Sequence, residues 1–349
     1  MDTETFTFLD ADQLDIFVYH WRSMQQQKPR AIIQIAHGMG EHAGRYERLA
    51  KVLIRAGYEV YANDHRGHGL TAGAPEQVGK TGSDAFNKMT DTMAQLTDQI
   101  AASHPGIPIY LLGHSMGSFL TQQYMYKYSS KVEGVILSGT NGKQSPMLRV
   151  GILIASMLVS WRGIDHRSPL LMLLTFGSYN KAFKPTRTVS DWISRDEAEV
   201  DLYIADPYCG GIFTAGFFRD FFRGLLDIHR PQHMDQISKK QPVLIFGGDR
   251  DPVGQMGKGV RQLLGMYNRL GLEHVDFKLY PGGRHEMLNE TNREQVTSDM
   301  VQWLDRQIGQ VQLDETGLDK KQGYHIDVNR VEANEAQVEG SRASKLLGG

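Results

Sequence analysis

Three short motifs hold residue types that together can perform acyl transfer. Ser115 lies in Gly113-His114-Ser115-Met116-Gly117, Asp251 in Gly248-Asp249-Arg250-Asp251-Pro252, and His285 in Gly283-Arg284-His285. A serine hydroxyl is a weak nucleophile at neutral pH, so a histidine has to take its proton during attack and return it to the leaving alcohol. A carboxylate has to hold that imidazole in one tautomer and stabilise the imidazolium. These roles fall to Ser115, His285 and Asp251. Asp249 is the competing carboxylate, but its place close to a strand end suits an Asp that shapes a turn by bonding its own backbone. His274 precedes its strand instead of following it, which puts it at the wrong edge of the sheet for a base.

A tetrahedral intermediate also needs two donors aimed at its oxyanion. The backbone N–H of Met116, next after the nucleophile, supplies one. The natural second is the N–H of Met39, in the glycine-rich loop His37-Gly38-Met39-Gly40-Glu41-His42. His37, His42, His65 and His68 raise the question of a metal. Their loops hold neither a helical His-Glu-x-x-His pair nor a cysteine set, so no metal and no cofactor are expected, and hydrogen bonding between loops is their expected role. Cys209 is expected as a buried residue, since nothing near it in the sequence suggests an activated thiolate.

Such groups work only if rigid elements hold them. Ile109 to Leu112 form a short apolar run, and Leu120, Tyr124 and Tyr128 then recur every four residues, so the period changes from strand-like to helical across Gly113 to Gly117. Ser115 therefore sits on a sharp strand-to-helix turn, a nucleophile elbow. Further strands are expected at Asp15 to Trp21, Ala31 to Ala36, Tyr58 to Asn63, Val132 to Ser138, Val243 to Phe246 and Val275 to Tyr280. Helical patterns around Leu49, Met93, Leu263 and Met300 alternate with most of them. That alternation predicts a mainly parallel central sheet covered by helices on both faces. The three candidate residues each follow a strand, in the order Ser, Asp, His that belongs to the α/β-hydrolase sheet.

Between Asn141 and Pro231 the rhythm breaks into apolar helix-like segments, read as an inserted helical cap. Residues 1–140 then form the first part of the core, 141–231 the cap, 232–310 the second part of the core, and 311–349 a polar tail expected to be flexible. The apolar cap faces serve packing onto the core, and they also suit an acyl-chain tunnel and a surface that touches membranes.

Composition bounds the rest. In 349 residues, 38 basic and 40 acidic side chains give a formal charge of −2 without a basic run, so nucleic acid is not an expected partner. One cysteine excludes an internal disulfide and fits a reducing cytoplasm. The N-terminus lacks the charge and apolar core of a secretory signal. The longest apolar stretch, Met147 to Trp161, contains Arg149 and falls short of the about twenty residues a membrane span needs.

The motifs above, with Arg45-Tyr46, Asp64-His65-Arg66-Gly67-His68-Gly69 and Asp251-Pro252-Val253, resemble the monoacylglycerol lipase and lysophospholipase branch of the α/β-hydrolases. The resemblance covers roughly residues 10 to 308, and cap stretches such as Asp206-Pro207-Tyr208-Cys209-Gly210 look like bacterial members. It implies a serine hydrolase of single-chain lipid esters, with Ser115, Asp251 and His285 as triad and the Met39 and Met116 amides as oxyanion hole. Met39 and Ser118 depart from smaller residues common in that branch, which bears on pocket shape. Two alternatives stay open: a small-ester carboxylesterase, and a serine aminopeptidase using the cap acids Asp191, Asp196, Glu197, Glu199 and Asp201 to hold an amine. A catalytically silent binding protein on the same fold is a third reading, disfavoured because all three triad residue types are present.

Overall fold

The computed structural model describes residues 1–25, 28–143 and 145–316, with side chains described through 309. The chain begins with β1 (Asp2–Leu9) and β2 (Asp15–Arg22), followed by β3 (Ile32–Ala36), α1 (Glu47–Arg55) and β4 (Glu59–Asn63). Next come α2 (Ala85–Ser103), β5 (Ile109–His114), α3 (Met116–Lys127) and β6 (Gly134–Ser138). Five helices follow: α4 (Met147–Arg162), α5 (Pro169–Phe176), α6 (Glu197–Ala205), α7 (Ala215–Asp227) and the short α8 (Pro231–Met234). The chain then returns through β7 (Val243–Gly248), α9 (Lys258–Leu270), β8 (Val275–Tyr280) and α10 (Arg293–Thr316).

Among the described residues the strands form one eight-stranded sheet in the order β1-β2-β4-β3-β5-β6-β7-β8. β1 and β2 pair antiparallel, as do β2 and β4; every other pairing is parallel. This is the α/β-hydrolase arrangement. Alternation along β5 shows how both faces are buried: Ile109 and Leu111 pack into one apolar layer, Tyr110 and Leu112 into the other. Helices α2, α3, α7 and α9 contribute to the first layer, and α1 and α10 to the second. Gln34, fully buried on the first side, is satisfied by donating to Met93 O at 2.9 Å and accepting from Thr97 Oγ1 at 2.7 Å.

One feature differs from the sequence expectation. The N-terminal segment, read only as lacking a signal, is the edge strand β1, whose Phe6 and Phe8 pack against the core from alternate positions. The cap segment packs onto the core. Helix α7 buries Phe217 and Phe218 completely and sets Phe221 against Phe86 of α2, with ring centres 6.1 Å apart and 46° between planes. Met1–Ile308, cap included, forms one compact unit; Gly309–Gly349 groups separately, and its described part continues α10 to Thr316. The remainder of the expected tail, 317–349, lies outside the described residues. No helix among the described residues is long and apolar enough to cross a membrane.

Candidate active site

Ser115 stands between β5 and α3 with φ 52° and ψ −118°, a conformation L-residues rarely adopt and that costs on the order of 1–3 kcal/mol. The flanking glycines make that geometry possible by close approach. A Cβ on Gly117 would lie 2.0 Å from Ala36 O, and one on Gly113 would lie 2.4 Å from Gly117 O. Backbone bonds then fix the turn: Ser115 N donates to Ser138 O at 2.9 Å, and the Ser118 hydroxyl donates to Ser115 O at 2.6 Å. The departure at Ser118 thus adds a brace to the elbow.

Asp251 follows β7, and His285 follows β8, at the same carboxyl edge of the sheet. Asp251 is fully buried, and His285 Nδ1 donates to its two carboxylate oxygens at 3.0 and 3.1 Å. Val253 N donates to Asp251 Oδ1 at 2.8 Å, which orients the carboxylate. Asp249 instead accepts from Gly282 N at 2.7 Å and serves the turn between the β7 and β8 loops. His274 lies at the opposite end of β8, where its carbonyl accepts from Val243 N. Burial opposes charge on His285, but the attraction and hydrogen bond of Asp251, helped by Glu286 and Glu41, outweigh it and raise its pKa above the ordinary value. Ser115 and His285 line one cavity without a hydrogen bond between them. Such bonds often tighten only when substrate is bound.

The loop after β3 presses on the nucleophile, since a Cβ on Gly38 would come within 3.1 Å of Ser115 Cβ. Met39 and Met116 both line the cavity, and neither amide N–H has a protein acceptor among the described residues. Two free donors beside the serine are what an oxyanion requires.

A buried charge cluster behind these loops was not anticipated. Arg45 Nη1 donates to Glu41 Oε2 at 2.6 Å, and its two terminal nitrogens grip both oxygens of Glu286 at 2.8 Å. Glu41 also accepts from Gly38 N at 2.6 Å and from the Tyr46 hydroxyl at 2.9 Å. Burial disfavours both carboxylates, yet the Arg45 guanidinium overrides it and holds each below its usual range. One arginine therefore ties the Met39 loop to the residue next to His285. The only signal in the sequence was adjacency: Glu286 follows His285, and Arg45 lies four residues after Glu41. His114 fits beside His285, with ring centres 4.8 Å apart, and burial pushes its pKa down to about 4.

The four histidines that invited a metal each make a ring hydrogen bond, while the buried Nε2 of His65 and of His68 has no partner among the described residues. His37 donates from Nδ1 to Gly38 O at 2.8 Å and accepts at Nε2 from His65 N at 2.9 Å. His68 donates to Arg66 O at 3.0 Å, and His42 donates to Asp206 Oδ2 at 2.9 Å. Burial keeps His37 and His65 well below, and His68 down to about 4, so these rings are neutral spacers between loops. Cys209 is half-buried rather than buried, with its thiol pKa pushed up by burial.

Above Ser115 opens a cavity of about 600 Å³, mostly apolar and walled by the cap through Leu148, Met172, Leu173, Phe176, Phe222 and Leu225. Its acidic lining residues, Glu41 and Glu286, are both held by Arg45. The cap acids lie outside the cavity lining: Asp196 pairs with Arg293 at 2.6 Å, Glu199 with Arg48 at 2.5 Å, and Asp201 with Arg187 at 2.6 Å. Glu197 sits 3.7 Å from Arg187, and Asp191 accepts from the Thr188 hydroxyl and amide.

Residues 27–292 match the family described as serine aminopeptidase, S33. A monoacylglycerol lipase of Mycolicibacterium smegmatis is 29% identical over 79% of this chain and 88% of its own length. The mouse monoglyceride lipase is 32% identical over 57% of this chain and 58% of its own. Among solved structures, a thermostable carboxyl esterase from Bacillus coagulans in complex with glycerol superposes with a TM-score of 0.82 at 27% identity. That match covers 88% of this chain and 99% of the esterase.

Proposed function

Because the chain belongs to the serine aminopeptidase, S33 family of α/β-hydrolases, we propose that it cleaves carboxylic esters of single-chain lipids, monoacylglycerol or lysophospholipid, through an acyl-enzyme on Ser115. The observation that carries this reading is the pairing of a strained serine with a large apolar cavity beside a buried Asp251–His285 couple. His285 removes the Ser115 proton as the oxygen attacks the ester carbonyl, and Asp251 stabilises the imidazolium. The Met39 and Met116 amides receive the oxyanion, each worth about 10²- to 10³-fold in rate. Collapse expels the alcohol with the proton from His285, and a water activated by the same ring then frees the fatty acid.

The relatives named for monoacylglycerol support the lipid substrate, and the cavity supports the acyl chain. The likeness to a carboxyl esterase leaves small esters as the nearest second reading. Amine recognition finds less support, because the cap acids are matched by arginines or the backbone away from the cavity and Arg45 neutralises the acids that line it. We place the protein in the cytoplasm, where Cys209 stays reduced, with the cap turned to a lipid surface. Along α4, Leu153, Met157 and Trp161 recur on one stripe and are exposed, Trp161 to 74%. Leu173 and Leu174 of α5 are exposed as well. Such a stripe is suited to shallow contact with lipid.

The test pairs the protein with its Ser115→Ala variant. Fluorophosphonate labelling should vanish in the variant, and fatty-acid release from monoacylglycerol and lysophosphatidylcholine of graded length should fall by about 10⁴-fold or more. Equal activity in both proteins would remove Ser115 from the mechanism. Hydrolysis confined to acetyl or butyryl esters would remove the lipid, and turnover of amino-acid anilides instead would restore the peptidase reading.

A further inference from the structure

At the other edge of the sheet from Ser115, three side chains converge that the hydrolytic mechanism does not use. His20 projects from β2, Glu59 opens β4, and His104 follows the last residue of α2. Glu59 stands at the amino end of its strand, whereas the catalytic candidates follow carboxyl ends, so topology separates the two places. His20 and Glu59 are buried, with 6% and 8% of their surfaces exposed, and His104 is half-buried. His20 Nε2 makes a short contact with Glu59 Oε1, and His104 Nε2 lies 3.5 Å from the same oxygen. The three ligand atoms all lie within 4.8 Å of one another.

We infer that His20, Glu59 and His104 form a binding site for a divalent transition-metal ion of the zinc type. Two imidazoles and one carboxylate are a donor set that zinc takes with water in its fourth position. Ligand bonds of about 2.0–2.1 Å in a tetrahedral site put the donor atoms roughly 3.4 Å apart, so side-chain adjustments of an ångström or so are enough. A cavity of about 390 Å³, lined by these residues and by Glu4 and Arg22, gives room for the ion and its water.

The surroundings already orient the rings. His20 stacks on Tyr61 with ring centres 3.9 Å apart and 12° between planes. Its other nitrogen, Nδ1, lies 3.7 Å from Glu4 Oε2, the place of the carboxylate that commonly steadies a metal-bound imidazole. The Tyr61 hydroxyl now donates to His104 Nε2 at 2.9 Å, and the ion would take that lone pair in its place. Neighbouring strands supply His20, Glu59 and Glu4, and only His104 comes from a helix end. The ion would therefore staple the β1–β2 edge and β4 to the end of α2, acting on stability and not on acyl transfer.

A second group of possible ligands, His42, Asp206 and Cys209, lies beside the Met39 loop. It offers a single imidazole beside one carboxylate and one thiol, against the two imidazoles of the first group. It serves as the internal control.

The experiment uses the full chain stripped with chelator. Cobalt(II) is titrated while the visible ligand-field bands of a tetrahedral ion are read, and zinc is then added as competitor; thermal unfolding is followed in parallel. One equivalent of cobalt with tetrahedral bands, displaced by zinc, and a melting temperature that zinc raises and EDTA returns are expected. The affinity should fall about 100-fold or more in His104→Ala and in Glu59→Gln, and stay unchanged in Cys209→Ser. Glu59→Gln keeps the shape of the buried site, and His104 is half-buried at a helix end, so two independent variants retain the fold. No saturable binding, or binding kept in both variants, would overturn the inference. Binding lost in Cys209→Ser would also overturn it, by moving the ion to the second group.

Discussion

At the scale of single residues, the balance of forces on His285 sets the pH at which the site can work. In the proposed mechanism attack requires the neutral imidazole, and Asp251 holds the ring's pKa above its ordinary value against the effect of burial. The acidic limb of kcat/KM should therefore lie above pH ~6.5, with activity lost as pH falls through the His285 value. Asp251→Asn leaves burial without the opposing charge, so the same limb should move to lower pH while kcat drops about 10⁴-fold. A pH–rate profile of both proteins on a soluble short-chain ester checks both statements, and an unmoved limb would detach Asp251 from His285. The linkage to stability has the opposite sense. A raised histidine contributes stability that is complete below its unfolded pKa and lost as pH rises through the folded one, so the pair helps folding most where it hydrolyses least.

At the scale of elements, separate loops must be held in register by something other than the strands that launch them. Arg45 does this for the loop after β3 and the loop after β8, through Glu41 and Glu286. Arg45→Met leaves two buried carboxylates without a counter-charge and should cost about 3–5 kcal/mol of stability. Arg45→Lys keeps a charge but loses the two-pronged grip. That variant should melt closer to the parent and yet lose roughly tenfold in kcat with KM little changed, because the proposed oxyanion donors and base are no longer aligned. Thermal unfolding beside steady-state kinetics separates these effects. Helix α7 makes a different kind of connection, a wholly buried aromatic face that joins cap to core. Phe217 is fully buried between Phe213, Phe218, Phe221 and His68, so Phe217→Ala should destabilise the whole compact unit by about 3–5 kcal/mol. Denaturation should remain a single transition if α7 belongs to the core, whereas an early separate transition would show the cap unfolding by itself.

At the scale of the molecule, one end collects the reactive loops, the apolar cavity and the exposed stripe of α4. Replacing Leu153 and Trp161 by glutamate should weaken vesicle adsorption and turnover of long-chain monoacylglycerol by about tenfold, and leave hydrolysis of a soluble butyryl ester unchanged. Equal losses on both substrates would instead mean that the helix had moved. How much of this was legible in the chain depends on the range of the interaction. Ser115, Asp251 and His285 stood out because glycine-bracketed turns and strand ends leave local patterns, and the parallel sheet was legible because apolar runs alternate with helical periods. β1 escaped notice although Thr-Phe-Thr-Phe alternates over residues 5–8, because an exposed edge strand buries only one side. The sequence by itself determined the sheet, the elbow and the order of the reactive residues, all set by backbone propensity and short-range spacing. Only the tertiary structure decided that Arg45 reaches Glu286, 241 residues away, and that His20, Glu59 and His104 share one pocket. Charges and imidazoles find partners through space, and nothing in their local sequence records the distance that folding removes.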